Sequence, residues 1–512
     1  MPIDFNNVPA NWQIPLYWVE LDPSQAGLPI IVQPALLVGI SKGGTAPATS
    51  QQPISISSML QANTAFGQGS QLAMMCAAFF ANSFSQELWC MPMDEPSGGT
   101  AATGTITVST PPTAAGTYDL YIAGMNINVS VAATDTAIQA ATKIVTAISN
   151  TPDLPVTAAN GGGTLAVVTV TAKAKGTWGN DITLQDNFYG QSGGEQMPFG
   201  MTVAYSGSGL MASGTGVPVF TTAIANLSDT PYEYVCMPFN DSTSLLAWET
   251  EFGFGDTGRW GWMRQLYGHI FSAQRDTVGN LVTLGNARNC AQESILGVEV
   301  TSPTPIWQWA AAYTSKAGRA LINDPARPLQ SLHLEGVLPA KRQNRFLISD
   351  LNTLATAGIA TQRTFGDGIP TIARDSTTYT KNTYGVSDDA YALVTTLATL
   401  AKLIRNQRQA ITSKFPRHKL ADDGTRFGPG QAIVTPKSIK AELVAQYRID
   451  EFNGLVENAA AFKDALIVER DPNDPNRVNV LYPPDLVNQL RIFAVLAQFR
   501  LQFNRGIDTA II

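Results

Sequence analysis

The sequence predicts an α/β core that carries an inserted β-rich α+β module and ends in extended N- and C-terminal arms. Three observations lead there. Buried-strand runs alternate with helical periodicities on both sides of a compositional break, the grammar of a layered α/β domain. Between about Pro96 and Thr222 the chain turns rich in Thr, Ala, Gly and Val and contains no arginine. The alternation resumes past it, so this stretch interrupts one domain. Both chain ends read as extended.

In order, Pro2, Pro9, Pro15, Pro23 and Pro29 forbid a long helix in the first thirty residues, and IPLYWVEL (14–21) is strand-like. PALLVGIS forms a buried strand ending near Ser41, Gly69 to Ser83 a helix, and ELWCMP (87–92) a second buried strand. Inside the insertion TGTITV, TYDLYIAG and INVSVA are strands, and Asp135 to Ser149 is an amphipathic helix with Ile138, Ala141, Val145 and Ile148 on one face. A turn at Gly161–Gly163 leads into the strand TLAVVTVTA, followed by GTWGNDI and the glycine-rich GSGLMASGTG.

Past the insertion YEYVCMP (232–238) echoes ELWCMP, and STSLLAWETEF follows as a helix with Ser242 as its cap. GHIFSA and ESILGVEV are strands, and Pro305 to Ile322 is a helix opened by proline. Ser387 to Ile411 reads as a long helix with Tyr391, Val394, Leu397, Ala401 and Ile404 in one stripe. Asp388 and Asp389 at its start and Arg405 and Arg408 at its end suit the dipole. The loop KFPRHKLADDG ends it, Pro436 begins another helix, and IVERD with RVNVLY forms a hairpin. From Ala497 to Phe503 apolar and polar residues alternate strictly, the period of a strand with one buried face and no obvious partner.

Composition narrows the function. A chain of 512 residues holds two or more domains. The net charge of −7, from 33 basic and 40 acidic residues, argues against a nucleic-acid coat. Only 14% of residues are charged, against roughly 25% in an ordinary soluble protein, so much of the surface is expected to be covered by neighbours. Cys76, Cys90, Cys236 and Cys290 show no CxxC or metal-ligand spacing and read as reduced packing residues. MPIDFNNVPANW has no signal-peptide character, and the longest apolar run, Leu72 to Ala81, is too short to span a bilayer. The expectation is a soluble protein made in the cytoplasm.

One stretch imitates an active site. Gly39-Ile40-Ser41-Lys42-Gly43 fits G-x-S-x-G directly after a buried strand. A nucleophile elbow needs a helix next, and GTAPATSQQP cannot start one promptly. The base would have to be His269, His333 or His418. A serine hydrolase is therefore the weaker alternative, beside a surface adhesin that would explain the Thr/Gly-rich module but not the missing signal peptide. No phosphate-binding loop, HExxH, EF-hand or zinc-finger spacing appears, so no cofactor or metal is expected. Carboxylates in DPNDP and ADDG read as turn and cap residues. GFGDTGRWGW reads as a turn packed by Trp260 and Trp262. The basic run Lys402, Arg405, Arg408, Lys414, Arg417 and Lys419 is either a solvated helix end or a docking patch for an acidic partner.

FNNVPANWQIPLYWVELDPSQAG, DTGRWGWMRQLYGH, KFPRHKLADDG and ALIVERDPNDPNRVNVLYPPDLVNQLRIFAVLAQF together resemble the contractile tail sheath proteins of Mu-like bacteriophages. The likeness runs from the first residues nearly to the last. TYDLYIAG, the 135–149 helix and AKGTWGNDI resemble a module common in these sheaths. The resemblance implies a non-enzymatic structural subunit that stacks as hexameric rings, wound helically around a tail tube. Its implied partners are itself, the tube protein, and baseplate and tail terminator proteins, with no direct nucleic acid and no membrane insertion. It implies a place in the virion tail after assembly in the host bacterial cytoplasm. It also implies arms that add strands to neighbouring subunits: Ile14, Leu16, Tyr17 and Val19 at one end, Ala497, Phe499, Leu501 and Phe503 at the other. Arg405, Arg408, Lys414, Arg417 and Lys419 become candidates for touching the tube or a neighbour. The expected division is an N-terminal arm over 1–30, a discontinuous core over 31–95 and 223–484, a surface module over 96–222 and a C-terminal arm over 485–512.

Overall fold

A computed structural model describes residues 33–83, 85–161, 166–499 and 501. Ile14, Leu16, Tyr17, Val19 and Phe503 lie outside the described residues. The chain opens with β1 (Ala35–Ile40), β2 (Ile54–Ser55), α1 (Met59–Phe66), α2 (Gln71–Asn82) and β3 (Leu88–Met93). The insertion follows as β4 (Ala101–Thr110), β5 (Gly116–Ile122), β6 (Met125–Val131), α3 (Ala137–Ser149), β7 (Val156–Asn160), β8 (Val167–Lys175), β9 (Leu184–Asp186) and β10 (Thr202–Tyr205). The core resumes with α4 (Thr221–Leu227), β11 (Tyr234–Cys236), α5 (Ser242–Phe252), β12 (His269–Arg275), α6 (Val278–Asn286), β13 (Glu293–Val298) and α7 (Ile306–Asn323). Then come α8 (Ile348–Thr356), β14 (Thr361–Thr364), β15 (Pro370–Arg374) and α9 (Val394–Lys414). The last elements are β16 (Lys419–Leu420), β17 (Ile433–Val434), α10 (Pro436–Phe452), α11 (Ala459–Ala465), β18 (Ile467–Arg470) and β19 (Val478–Leu481).

The central sheet has the order β13-β12-β11-β1-β3-β2 and is parallel except for the short β2. β1 and β13 are buried along their whole length, as strands covered by helices on both faces must be. That is why ALLVGI and ESILGV read as continuous runs and not as alternations. Ser70 caps α2, its hydroxyl accepting from the Ala73 amide at 3.2 Å. The connection from β1 leads to β3 on one side, and after the insertion the chain returns to β11 on the other. The carboxyl ends of β1 and β11 therefore form the switch point of the sheet.

The insertion is built of two antiparallel sheets, β10-β4-β8-β7 and β6-β5-β9, with α3 against them. Its apolar residues join those of the central sheet in one hydrophobic cluster, so Ile106, Leu120, Ile144 and Val168 share a core with Leu37 and Phe79. A second, smaller cluster sits under α9, α10 and α11, where the Tyr447 and Phe462 rings stack at 3.7 Å. From Pro483 to Phe499 the chain forms no helix or strand, apart from the single bridge of Leu486 to Val456.

Four local expectations are corrected. Asp241, not Ser242, caps α5: its carboxylate, a stronger acceptor than a hydroxyl, takes the Ser244 amide at 3.0 Å, and Ser242 sits in the first turn. α3 buries Ala140, Ala141, Ile144 and Ile148 and leaves Ile138 exposed, because its face is set by β4, β6 and β7. The long helix starts at Val394, not Ser387. Before it Ser376 bridges Leu393, and Asp388 accepts the Tyr379 hydroxyl at 2.6 Å, which holds 388–393 out of the helix. Arg405 and Arg408 consequently lie in mid-helix and Lys414 closes it. In the GRWGW turn Trp260 packs on Tyr267 while Trp262 is exposed, and the fully buried side chain there is Arg259, held by Glu251 at 2.8 Å.

Candidate functional site

In an open α/β sheet the switch point is where ligands bind. Here the insertion fills it. Trp178 packs edge-on against Trp307 of α7, their ring centroids 5.8 Å apart. The Asp181 carboxylate accepts the Ile306 amide at the first turn of α7 and pairs with Arg275 of β12 at 3.1 Å. Burial pushes the Asp181 carboxyl up, and the Arg275 charge and the helix amide offset it. A helix N-terminus that could receive a phosphate is thus occupied by the chain's own anion. The space left, about 400 Å³, is lined by Asn180, Phe239, Asn240 and Gln274 among others.

The G-x-S-x-G stretch makes no nucleophile. Ser41 lies one residue past the carboxyl end of β1, its hydroxyl donating to the Phe66 carbonyl at 3.3 Å and accepting from Gly43 at 3.2 Å. No helix follows until Met59. His269 opens β12 in register with Tyr234 and Ala35, at the amino end of the sheet. Six residues of strand separate that level from Ser41, roughly 20 Å. Burial lowers the His269 pKa to about 3, so the ring is neutral. His333 stands 3.8 Å from Asp367, and His418 is an exposed loop residue against Phe415. The geometry brings none of the three histidines to Ser41.

The surfaces that remain are apolar and unpaired. Leu490, Ile492, Phe493, Val495, Leu496, Phe499 and Leu501 are each between 69 and 97% exposed. Ala497 is exposed with them, and residues 497–499 form no strand. So many large apolar side chains on one stretch without helix or strand make it a candidate interaction surface. A second surface is the hairpin of β18 and β19, which pair only with each other among the described residues and expose Ile467, Val480 and Leu481. Beside β19 opens an apolar groove of about 600 Å³, lined by Phe254, Tyr267, Leu400, Ile404, Ile411 and Val480 among others.

The basic residues divide. Arg405 is engaged inside the chain, forked onto Glu233 at 2.8 and 2.5 Å with its guanidinium over the Tyr267 ring. Arg408, Lys414, Arg417 and Lys419 are exposed. Lys414 meets Glu442 at 2.7 Å and Lys419 meets Gln431 at 3.2 Å. Sequence reasoning missed Glu233 as the partner of Arg405. The signal was present: an acid inside the buried run YEYVCMP requires a cation.

Residues 213–378 match the phage tail sheath protein central domain, and residues 386–500 match the phage tail sheath C-terminal domain. The Mu-like prophage FluMu tail sheath protein of Haemophilus influenzae is 39% identical over 503 residues, spanning 98% of this chain and 100% of that one. Among solved structures, a sheath tail protein of Desulfitobacterium hafniense aligns with a TM-score of 0.46 and 12% identity over 92% of this chain and 100% of its own. One from Listeria innocua aligns with a TM-score of 0.46 and 9% identity over 91% and 94%. On the curated relative, which matches from end to end, this chain belongs to the phage tail sheath family and is a structural sheath subunit.

Proposed function

We propose that this chain polymerises as stacked hexameric rings wound helically around a tail tube, and that the array shortens to drive the tube through the host envelope. The observation that carries the reading is the exposed apolar stretch 490–501, which a lone soluble subunit has no reason to keep. Heterologous contacts that do not close on themselves generate helical arrays. Strand addition suits a moving array, because main-chain hydrogen bonds at a sheet edge persist while the rest of each subunit turns. In this reading Ala497, Phe499 and Leu501 of one subunit, with Phe503 and the N-terminal Ile14, Leu16, Tyr17 and Val19, add to the hairpin edge of neighbours. Shortening needs no nucleotide if the extended array is a kinetic trap, and the subunit acts without enzymatic chemistry.

The insertion, 96–222, is the outward-facing module, with the core over 31–95 and 223–484. Arg408, Lys414, Arg417 and Lys419 form the exposed basic patch that meets an acidic tube or neighbour, and Arg405 supports the helix bearing it. Baseplate and terminator proteins cap the array, which is assembled in the host cytoplasm and ends in the virion tail. Electron microscopy of the purified chain tests this: tubes or stacked rings are expected. Dispersed subunits at every salt concentration would contradict it.

A further inference from the structure

The C-terminal stretch does not leave the subunit where its secondary structure ends. After β19 the chain stays clamped at three points. Leu486 bridges Val456, with the Asp485 amide donating to the Tyr447 hydroxyl at 3.1 Å and the Val487 amide to the Leu455 carbonyl at 3.3 Å. The Gln489 side chain donates to the Ala326 carbonyl at 2.6 Å, and Gln330 donates to the Leu490 carbonyl at 3.2 Å. Last, the Arg491 guanidinium meets the Asp375 carboxylate at 2.8 Å. Beyond it, among the described residues, no hydrogen bond joins 492–499 to the subunit, and the large apolar side chains are exposed.

The third clamp differs in kind from the other two. Asp375 is wholly buried at the end of β15, and its carbonyl takes the Val394 amide that opens α9. Arg491 is mostly buried with it, and both charges act on the Tyr313 phenol of α7, whose pKa burial raises most, Asp375 raises further and Arg491 opposes. Arg374 beside them is held down by burial and by the Arg491 charge, with the Asp375 charge opposing. Among the described residues Asp375 forms no other ion pair, Arg374 acting on it only through its charge, so parting from Arg491 strips the buried carboxylate of its close cation.

We propose that the Arg491–Asp375 pair is the latch that fixes where the C-terminal arm leaves its own subunit, so the part free to engage a neighbour begins at Ile492. The proposal rests on the arm-exchange reading above and refines it. Pull on the arm is delivered through Asp375 to the start of α9 and to α7. Without the latch the two hydrogen-bonded clamps at 485–490 hold alone and open more often, so residues 483–491 spend more time detached, lengthening the free arm by up to about 30 Å and slackening the link between subunits.

Hydrogen exchange on the dispersed full-length protein tests it, with the Asp485 and Val487 amides as reporters. In the wild type, peptides covering 483–491 should exchange about tenfold or more slowly than those covering 492–499. Asp375→Asn should narrow that difference while β12 and α7 keep their protection. If Asp375→Asn does not fold, Arg491→Gln gives the same readout. The exchanged pair Asp375→Arg with Arg491→Asp should restore slow exchange. Unchanged protection of 483–491 in Asp375→Asn or Arg491→Gln, or fast exchange there in the wild type, overturns the latch. Deleting 492–512 tests arm exchange separately: tubes that survive this deletion refute exchange and leave the exchange rates of 483–491 to decide the latch.

Discussion

The insertion and the C-terminal stretch are both appendages of the central sheet, yet they are attached in opposite ways. The insertion shares a hydrophobic core with the sheet and adds buried polar ties: the Asp181 carboxylate to Arg275, the Arg275 guanidinium to the Asp181 carbonyl at 3.1 Å, and the Thr183 hydroxyl to the Pro303 carbonyl. Even its β5–β6 turn is fitted to the core. Ala123 and Gly124 both take positive φ, 52° and 79°, and a Cβ on Gly124 would stand 2.7 Å from the Thr304 hydroxyl. The C-terminal stretch keeps one buried ion pair and then exposes its apolar side chains. A module welded in this way moves with its core, whereas the C-terminal stretch leaves its apolar side chains uncovered, as the proposed arm exchange requires.

That contrast can be broken from either side. Deleting 492–512 should abolish tube formation in electron microscopy while the subunit keeps its circular dichroism and cooperative melting. On the welded side, Arg275→Met leaves Asp181 uncompensated in a buried site and should destabilise the subunit by about 3–5 kcal/mol in chemical denaturation. Arg275→Met with Asp181→Leu should recover most of the loss. Arg405→Met, which strands Glu233, should cost a similar amount, whereas Lys414→Ala with Arg417→Ala should change stability by less than about 0.5 kcal/mol. The second pair should instead alter how tube formation depends on salt.

A smaller effect is carried by pH. The unfolded His269 imidazole titrates near 6.5, the folded one near 3, because burial disfavours the charged ring. Between these values only the unfolded state binds the proton, so stability falls as pH drops from about 6.5 towards 3 and is fully retained above that window. The slope approaches about 1.4 kcal/mol per pH unit, less the opposing contribution of Glu293 and Glu299, whose burial raises their carboxyls. His269→Leu should flatten the profile in that window. Smallest of all, Ser41→Ala should leave assembly and stability within about 0.5 kcal/mol of the wild type.

Much of this was legible because buried parallel strands announce themselves. PALLVGIS, ELWCMP, YEYVCMP, GHIFSA and ESILGVEV correspond to β1, β3, β11, β12 and β13. The short helices were not. α6 carries two glycines, α1, α4 and α8 span only seven to nine residues, and tertiary packing holds them where periodicity gives no signal. The start of α9 was misplaced because Asp388 and Asp389 look like a helix entry, while the tie from Asp388 to Tyr379 is invisible in a linear reading. The C-terminal stretch was only partly legible. Alternation marked Ala497 to Phe503 as a strand without a partner, but Asp375, far away in sequence, gave no hint that Arg491 would find it. Long-range pairs of single charges leave no periodic trace.

The most direct measurement is hydrogen exchange of residues 492–501 in assembled tubes compared with dispersed subunits. If a neighbouring subunit covers this stretch as an added strand, its amides should slow by orders of magnitude on assembly while those of β12 and α7 stay unchanged. Equal exchange of 492–501 in tubes and in free subunits would contradict the account.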